Sequence, residues 1–227
     1  GLGDVYKRQT VHYEVRGNVA LMTIDNPPVN PLSSGVRQGL HDGLSQALTD
    51  DAVAAIVLTG AGRSFCAGVD LKALSDEPEM LSTGMGLGPD SPIVAALEHC
   101  PQPIIGAING AAVTGGFELA LACDYLFAST HARFADTHAR VGILPGWGLS
   151  QKLARIIGIN RAREMSLAGN FIDAHRAEAW GLVNRVCSPE TLMDETLASA
   201  AQVADGDAKA VVALKALMND GAKQNLG

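Results

Sequence analysis

Short apolar-rich runs at Val11 to Val15 and Val19 to Asp25, separated by Arg16-Gly17-Asn18, predict a β-hairpin near the start of the chain. Asn26-Pro27-Pro28 ends the second strand, because proline has no N–H to give to a ladder. Ser33 or Ser34 then caps a helix that runs to about Asp50, with Val36, Leu40, Leu44 and Leu48 spaced four apart as its apolar face. Ala54 to Thr59 is a nearly unbroken apolar run of strand length, the pattern of a strand covered on both faces. A loop from Gly60 to about Pro92 follows, then a helix at Ile93 to Cys100 and a second buried strand at Pro103 to Asn109. Gly115-Gly116 opens an apolar helix from Phe117 to about Cys123. Strand, glycine turn and helix thus occur twice, which predicts the α/β class.

Further along, Tyr125 to Ala128 and Val183 to Val186 read as strands. Trp147 onwards, Arg161 to Ala168, Ala174 to Trp180, Glu190 to Val203 and Ala208 to Met218 read as helices. Met80 to Asp90, with glycines at 84, 86 and 88, reads as a mobile loop and not as a linker between domains. Gly1 to Gln9 carry neither an initiator Met nor any periodicity, so residues 1–9 are expected to be a non-native or adaptor-derived segment and residues 10–227 one domain. Its C-terminal helices are expected to be incomplete.

Composition narrows the class. At 227 residues, 47% hydrophobic and 18% charged, with 25 glycines and few aromatic residues, the chain fits an α/β enzyme built around one core of small aliphatic side chains. A net charge of −7 without any basic run argues against a nucleic-acid surface, so an anionic ligand has to be held locally. Cys66, Cys100, Cys123 and Cys187 lack metal-ligand spacing and are expected to be reduced thiols in a cytoplasmic protein, with no structural zinc. No apolar stretch approaches the roughly 18 residues that suggest a membrane span, so no membrane partner is expected.

The chemistry concentrates in two loops. In Ala61 to Leu71, Gly68 permits a conformation that lets the next amide, Val69 N–H, point away from the chain; an ordinary strand-to-helix turn is the competing reading. In Asn109 to Ala120, Thr114-Gly115-Gly116 offers unblocked amides at a helix start, suited to holding an oxyanion. Glu118 sits in that first turn, within an otherwise almost wholly apolar helix where burying a carboxylate without purpose is costly. Cys66 reads as a packed thiol, and His99, His131 and His175 as surface or capping residues.

Taken together, the two loops resemble motifs of the crotonase superfamily, the enoyl-CoA hydratase/isomerase family. Phe134 followed by Val141-Gly142-Ile143-Leu144-Pro145-Gly146-Trp147-Gly148 resembles its third motif, and Ala174 to Asn184 its fourth, so the likeness extends from about Val11 to the C-terminus. The resemblance implies a crotonase-like spiral of ββα units with C-terminal helices for trimerisation, assembly as a homotrimer or a hexamer made of two trimers, and an acyl-CoA substrate. It implies that Val69 N–H and Gly115 N–H form the oxyanion hole, that Ala67, Gly68, Asp70, Leu71, Lys72 and Gly116 line the substrate path, and that Lys72 meets a CoA phosphate. No metal or redox cofactor is implied, since CoA belongs to the substrate.

The hydratase pattern also implies two glutamates flanking a water, twenty residues apart. Glu118 supplies the first, but His138 stands at the position of the second. Three readings follow: His138 acts as the acid/base, Asp136 reaches in instead, or Glu118 works alone beside a lining histidine. The leading function is hydration of a 2-enoyl-CoA to a 3-hydroxyacyl-CoA, as in fatty acid β-oxidation. Enoyl-CoA isomerisation and thioester hydrolysis use the same oxyanion stabilisation, and a non-catalytic acyl-CoA-binding protein or the N-terminal part of a multifunctional enzyme are the readings of other kinds.

Overall fold

The hairpin forms where the apolar runs put it: β1 (Val11–Arg16) and β2 (Val19–Ile24) pair antiparallel, Val11 opposite Ile24 and Arg16 opposite Val19. They open a computed structural model that describes residues 9–68 and 91–223. From β2 the sheet continues in parallel through β3 (Ala55–Gly60), β5 (Ile104–Ile108), β7 (Tyr125–Ser129) and β10 (Arg185–Cys187). Successive side chains of a strand point to opposite faces. In β2, β3, β5 and β7 both faces are covered. Ala20, Met22, Ile56 and Leu58 join the core under α1 (Ser34–Thr49), while Val19, Leu21, Ala55 and Val57 face α7 (Leu192–Ala204) through Leu192 and Ala200.

A second, smaller sheet runs in the order β4 (Ser64–Cys66), β6 (Ala111–Val113), β8 (Arg133–Ala135), β9 (Ile172–Asp173), parallel except for the last pair. Each of its first three strands directly follows one strand of the large sheet: β3 leads to β4, β5 to β6 and β7 to β8. Helices α2 (Pro92–Glu98) and α3 (Gly115–Leu121) come after β4 and β6. This stepping between two sheets is the spiral of ββα units that the resemblance implies. The chain continues through α4 (Leu149–Ile157), α5 (Ile159–Ala168), α6 (Ala174–Ala179), α7 and α8 (Ala208–Lys223). Lys215 ties α8 to the body, its Nζ donating to Gln102 O at 2.9 Å and to Asp124 Oδ2 at 2.7 Å. No helix among the described residues is long and apolar enough to cross a membrane.

Several expectations need correction. β4 and β6 lie in segments that the sequence reads as loops, and β8 in one to which it gives no element, because three residues are too few to carry a periodic signal. The capping serine of α1 is Ser33, whose Oγ accepts from Val36 N, but Leu48 is 59% exposed and Ala47 is buried in its place. Steps of four residues overshoot a full helical turn by about 40° each, so the inward face drifts from the row of leucines by the last step. The strand expected from Val183 starts at Arg185, because Leu182 and Val183 first give their N–H groups to Ala177 O and close α6. α2 stops at Glu98, where the His99 ring and backbone N–H both turn onto Ala95 O, as a capping histidine should. The Met80 to Asp90 loop lies outside the described residues.

The drift in α1 is testable. Leu44→Ala should lower stability by about 3 kcal/mol by leaving a cavity, whereas Leu48→Ala should stay within about 0.5 kcal/mol of the parent in urea denaturation.

Candidate active site

Three neighbouring parallel strands end side by side at Cys66, Val113 and Ala135, and the segments leaving them bring the sequence-predicted residues together. Ala67-Gly68 follows β4, Thr114-Gly115-Gly116 follows β6, and Asp136 to His138 follow β8. The first two segments touch along their main chains. A Cβ on Gly116 would lie 2.0 Å from Cys66 O, and one on Gly68 would lie 2.7 Å from Val113 O and 3.2 Å from Gly115 N. Gly68 also holds φ +83°, a left-handed angle that side chains disfavour. These two positions therefore have no room for any residue but glycine.

The Gly68 segment is fixed from its other side. Leu32 N donates to Gly68 O at 2.8 Å and Ala67 N to Val29 O at 3.0 Å. The buried Asn30 side chain adds bonds to Ala61 O and Ser64 O and accepts from Asn26 N. Val69, Asp70, Leu71 and Lys72 lie outside the described residues, so of the expected oxyanion-hole donors the structure positions Gly115 N–H. Among the described residues neither Gly115 N–H nor Gly116 N–H has an acceptor. Thr114 precedes them at φ 54°, ψ −117°, held by its N–H to Ala135 O and by a hydroxyl bond to Thr137. Such a backbone costs about 1–3 kcal/mol and persists only where its surroundings impose it.

Helix α3 then carries Glu118 inward, anchored by Phe117 against Phe134 of β8 with ring centroids 5.6 Å apart. Glu118 is 4% exposed. One carboxylate oxygen, Oε1, accepts the backbone N–H of Trp147 at 2.7 Å. The other, Oε2, lies 3.5 Å from His138 Nε2. His138 is itself buried, and its Nδ1 sits 2.6 Å from Asp136 Oδ1, an oxygen that also accepts the His138 backbone N–H at 3.2 Å. Asp136, His138 and Glu118 thus form a row with the imidazole between two carboxylates.

Burial works against a charged His138, but its bonds to Asp136 and Glu118, and the charges of both, outweigh it and lift its pKa to about 9. The ring is an imidazolium at neutral pH. Burial pushes the Asp136 carboxyl up, and the bonds from His138 and the Ser166 hydroxyl more than offset this, leaving it below the usual carboxylate value. The His138 pKa is raised relative to the unfolded chain. Its pairing therefore stabilises the fold fully below the ordinary imidazole value of 6.5, and that stabilisation is lost as pH rises through about 9. The depressed Asp136 acts oppositely: its stabilisation is present above the ordinary value of 3.8 and is lost as pH falls below it.

Of the three readings left open by the sequence, the geometry brings His138 to Glu118. Asp136 does not take the place of the second carboxylate; it backs the histidine from the far side. Trp147 N–H was not foreseen as a partner of Glu118, since a main-chain donor leaves no mark in a side-chain sequence, and only the register of its motif after Phe134 pointed towards it. Cys66 is fully buried and its thiol is pushed up to about 12 by that burial, which fits a packed side chain. All four cysteines are free thiols.

This arrangement can be set beside known proteins. Residues 14–227 match the enoyl-CoA hydratase/isomerase family. The chain is 43% identical over 212 residues to the probable enoyl-CoA hydratase 1, peroxisomal, of Arabidopsis thaliana, which covers 93% of this chain and 78% of the relative. Among solved structures it is similar to the enoyl-CoA hydratase of Mycobacterium tuberculosis H37Rv, with TM-score 0.83 and 42% identity over 93% of this chain and 89% of the other. The enoyl-CoA hydratase of Bacillus anthracis superposes with TM-score 0.88 at 32% identity, covering 96% and 85% of the two chains. With its two-sheet spiral, its paired glycine loops and a family match across nearly its whole length, the chain belongs to the enoyl-CoA hydratase/isomerase family of the crotonase superfamily.

Proposed function

We propose that the protein is a hydro-lyase that adds water across the 2,3 double bond of a 2-enoyl-CoA to give a 3-hydroxyacyl-CoA. The observation that carries this reading is the buried Glu118 carboxylate, held by Trp147 N–H through one oxygen and facing the His138 imidazolium through the other. It stands one turn from Gly115 N–H, which has no acceptor among the described residues.

By match to the family motif, Val69 N–H and Gly115 N–H are the two donors assigned to the thioester carbonyl oxygen. As water attacks the β-carbon, the π electrons move towards that oxygen, and the two donors stabilise the enolate; one such donor is typically worth about 3 kcal/mol. Glu118 takes the proton from the attacking water, and His138 protonates the α-carbon. Both side chains are buried, where oriented proton donors and acceptors act most strongly. By match to the family motif, Ala67, Gly68, Asp70, Leu71 and Gly116 are the residues assigned to the substrate path, and Lys72 is the one assigned to a phosphate of CoA. The chemistry uses only side chains and main-chain amides and calls on no metal or redox cofactor. The reading includes homotrimers, which pair into hexamers; the exposed Leu214, Leu217 and Met218 of α8 supply an apolar row suited to association.

Glu118→Gln should lower the rate of crotonyl-CoA hydration by about 10²-fold or more, with CoA binding nearly intact by calorimetry. Mass-resolved products decide among the reactions of the family: gain of one water fits hydration, release of free CoA thiol or an isomer of unchanged mass would reject it. The parent enzyme should also lose kcat as pH rises through about 9, where His138 gives up its proton. An alkaline limb that survives unchanged in His138→Gln would remove the histidine from the reaction.

A further inference from the structure

We propose that Asp136 is a positioning residue for this reaction: through Oδ1 it fixes the His138 ring so that a protonated Nε2 faces Glu118, making His138 the proton donor and the link that returns the proton taken from water. The inference rests on the hydratase reading for its role in turnover. Its geometric part stands on the row of buried groups alone.

Oδ1 of Asp136 meets His138 twice, at Nδ1 and at the backbone N–H. A ring held to its own backbone through a common acceptor has little freedom to rotate. Nε2 is thereby directed at Glu118 Oε2, 3.5 Å away. With Nδ1–H given to Asp136, a neutral imidazole would turn the bare lone pair of Nε2 towards a carboxylate. A proton on Nε2 converts that repulsion into attraction. Both contacts therefore favour the doubly protonated ring.

Among the described residues the surroundings supply no rival partner. The charged groups that face the ring are Glu118 from α3 and Asp136 from the segment after β8. From α5 the Ser166 hydroxyl reaches Asp136. The neighbouring Arg140 is turned away, its guanidinium donating to Ala168 O. Asp136, His138 and Glu118 are 2%, 4% and 4% exposed, so the ring keeps its proton by contact with these two carboxylates and not by exchange with open solvent.

The proton count closes over one turnover. Glu118 gains a proton as the water oxygen bonds to the β-carbon and the enolate forms. His138 Nε2–H then protonates the α-carbon, the enolate electrons restore the C=O, and the ring is left neutral. Protonated Glu118 passes its proton across to the bare Nε2, and both groups return to their starting forms. Asp136 stays ionised throughout and touches none of the reacting atoms.

The test combines ¹⁵N-histidine NMR titration with the pH dependence of kcat, using the parent, Asp136→Asn and Ser166→Ala, with His138→Gln to identify the His138 signal. In the parent, His138 should titrate near 9. Asp136→Asn should lower that midpoint by about one to three pH units and move the alkaline limb of kcat down by the same amount, with KM for crotonyl-CoA within about two-fold. Ser166→Ala should shift both in the same direction by less. If Asp136→Asn does not fold, the Ser166→Ala shift decides. A His138 midpoint that stays put in the variants, or that moves while the kcat limb does not, would overturn the proposal. Absence of water addition by the parent would instead refute the hydratase reading, and the NMR titration would still judge the positioning by itself.

Discussion

The site depends on how closely two main chains approach each other. Neighbouring strands lie about 4.8 Å apart, so the segments leaving β4 and β6 emerge side by side, and Gly116 meets the carbonyl oxygen of Cys66 with no space for a Cβ. Helix α3 can begin only because that contact is bare. Its start fixes where Gly115 offers its N–H and, one turn later, where Glu118 enters the core. The Phe117 to Phe134 contact and the Trp147 N–H then hold the carboxylate at the depth that the glycine contact set. The strained Thr114 backbone belongs to the same constraint: two hydrogen bonds from the β8 side hold a turn that threonine would not choose.

Electrostatics finishes what packing begins. Two carboxylates and one imidazolium in a buried row leave an excess negative charge, which a low-dielectric interior tolerates only when each group has partners. Those partners are present: a main-chain N–H for Glu118, a hydroxyl and a backbone N–H for Asp136. In a chain of net charge −7, the cation needed at the site is made locally, from a histidine whose neighbours hold its proton. A group of opposite charge thus stands where the family pattern has a second glutamate.

Much of this was legible beforehand, for identifiable reasons. Strands β2, β3, β5 and β7 of the large sheet announced themselves as apolar runs because both of their faces are covered, and Glu118 stood out because an acid in an apolar helix needs a reason. The importance of position 138 followed from counting twenty residues along a motif, but what the histidine does there did not. That depends on Asp136 two residues earlier, whose pairing arises only when the chain folds back on itself. The three-residue strands of the second sheet carried no period, and the inward face of α1 departed from its leucine spacing because a helix turn is shorter than four residues. Val69 to Lys72 fall outside the described residues, so their part in the site rests on the family motif and not on geometry.

The donors at Gly115 and Trp147 belong to the polypeptide and not to its side chains. Point substitutions therefore cannot delete them, apart from proline, which has no N–H; they can only displace them by disturbing the fold. The candidate site is in this sense genetically sheltered on two of its contacts and open to substitution at three side chains, Glu118, His138 and Asp136. Exchanging the indole of Trp147 would keep its N–H in the chain, but the ring is buried in the core, so the bond to Glu118 survives only a replacement that fills the same space.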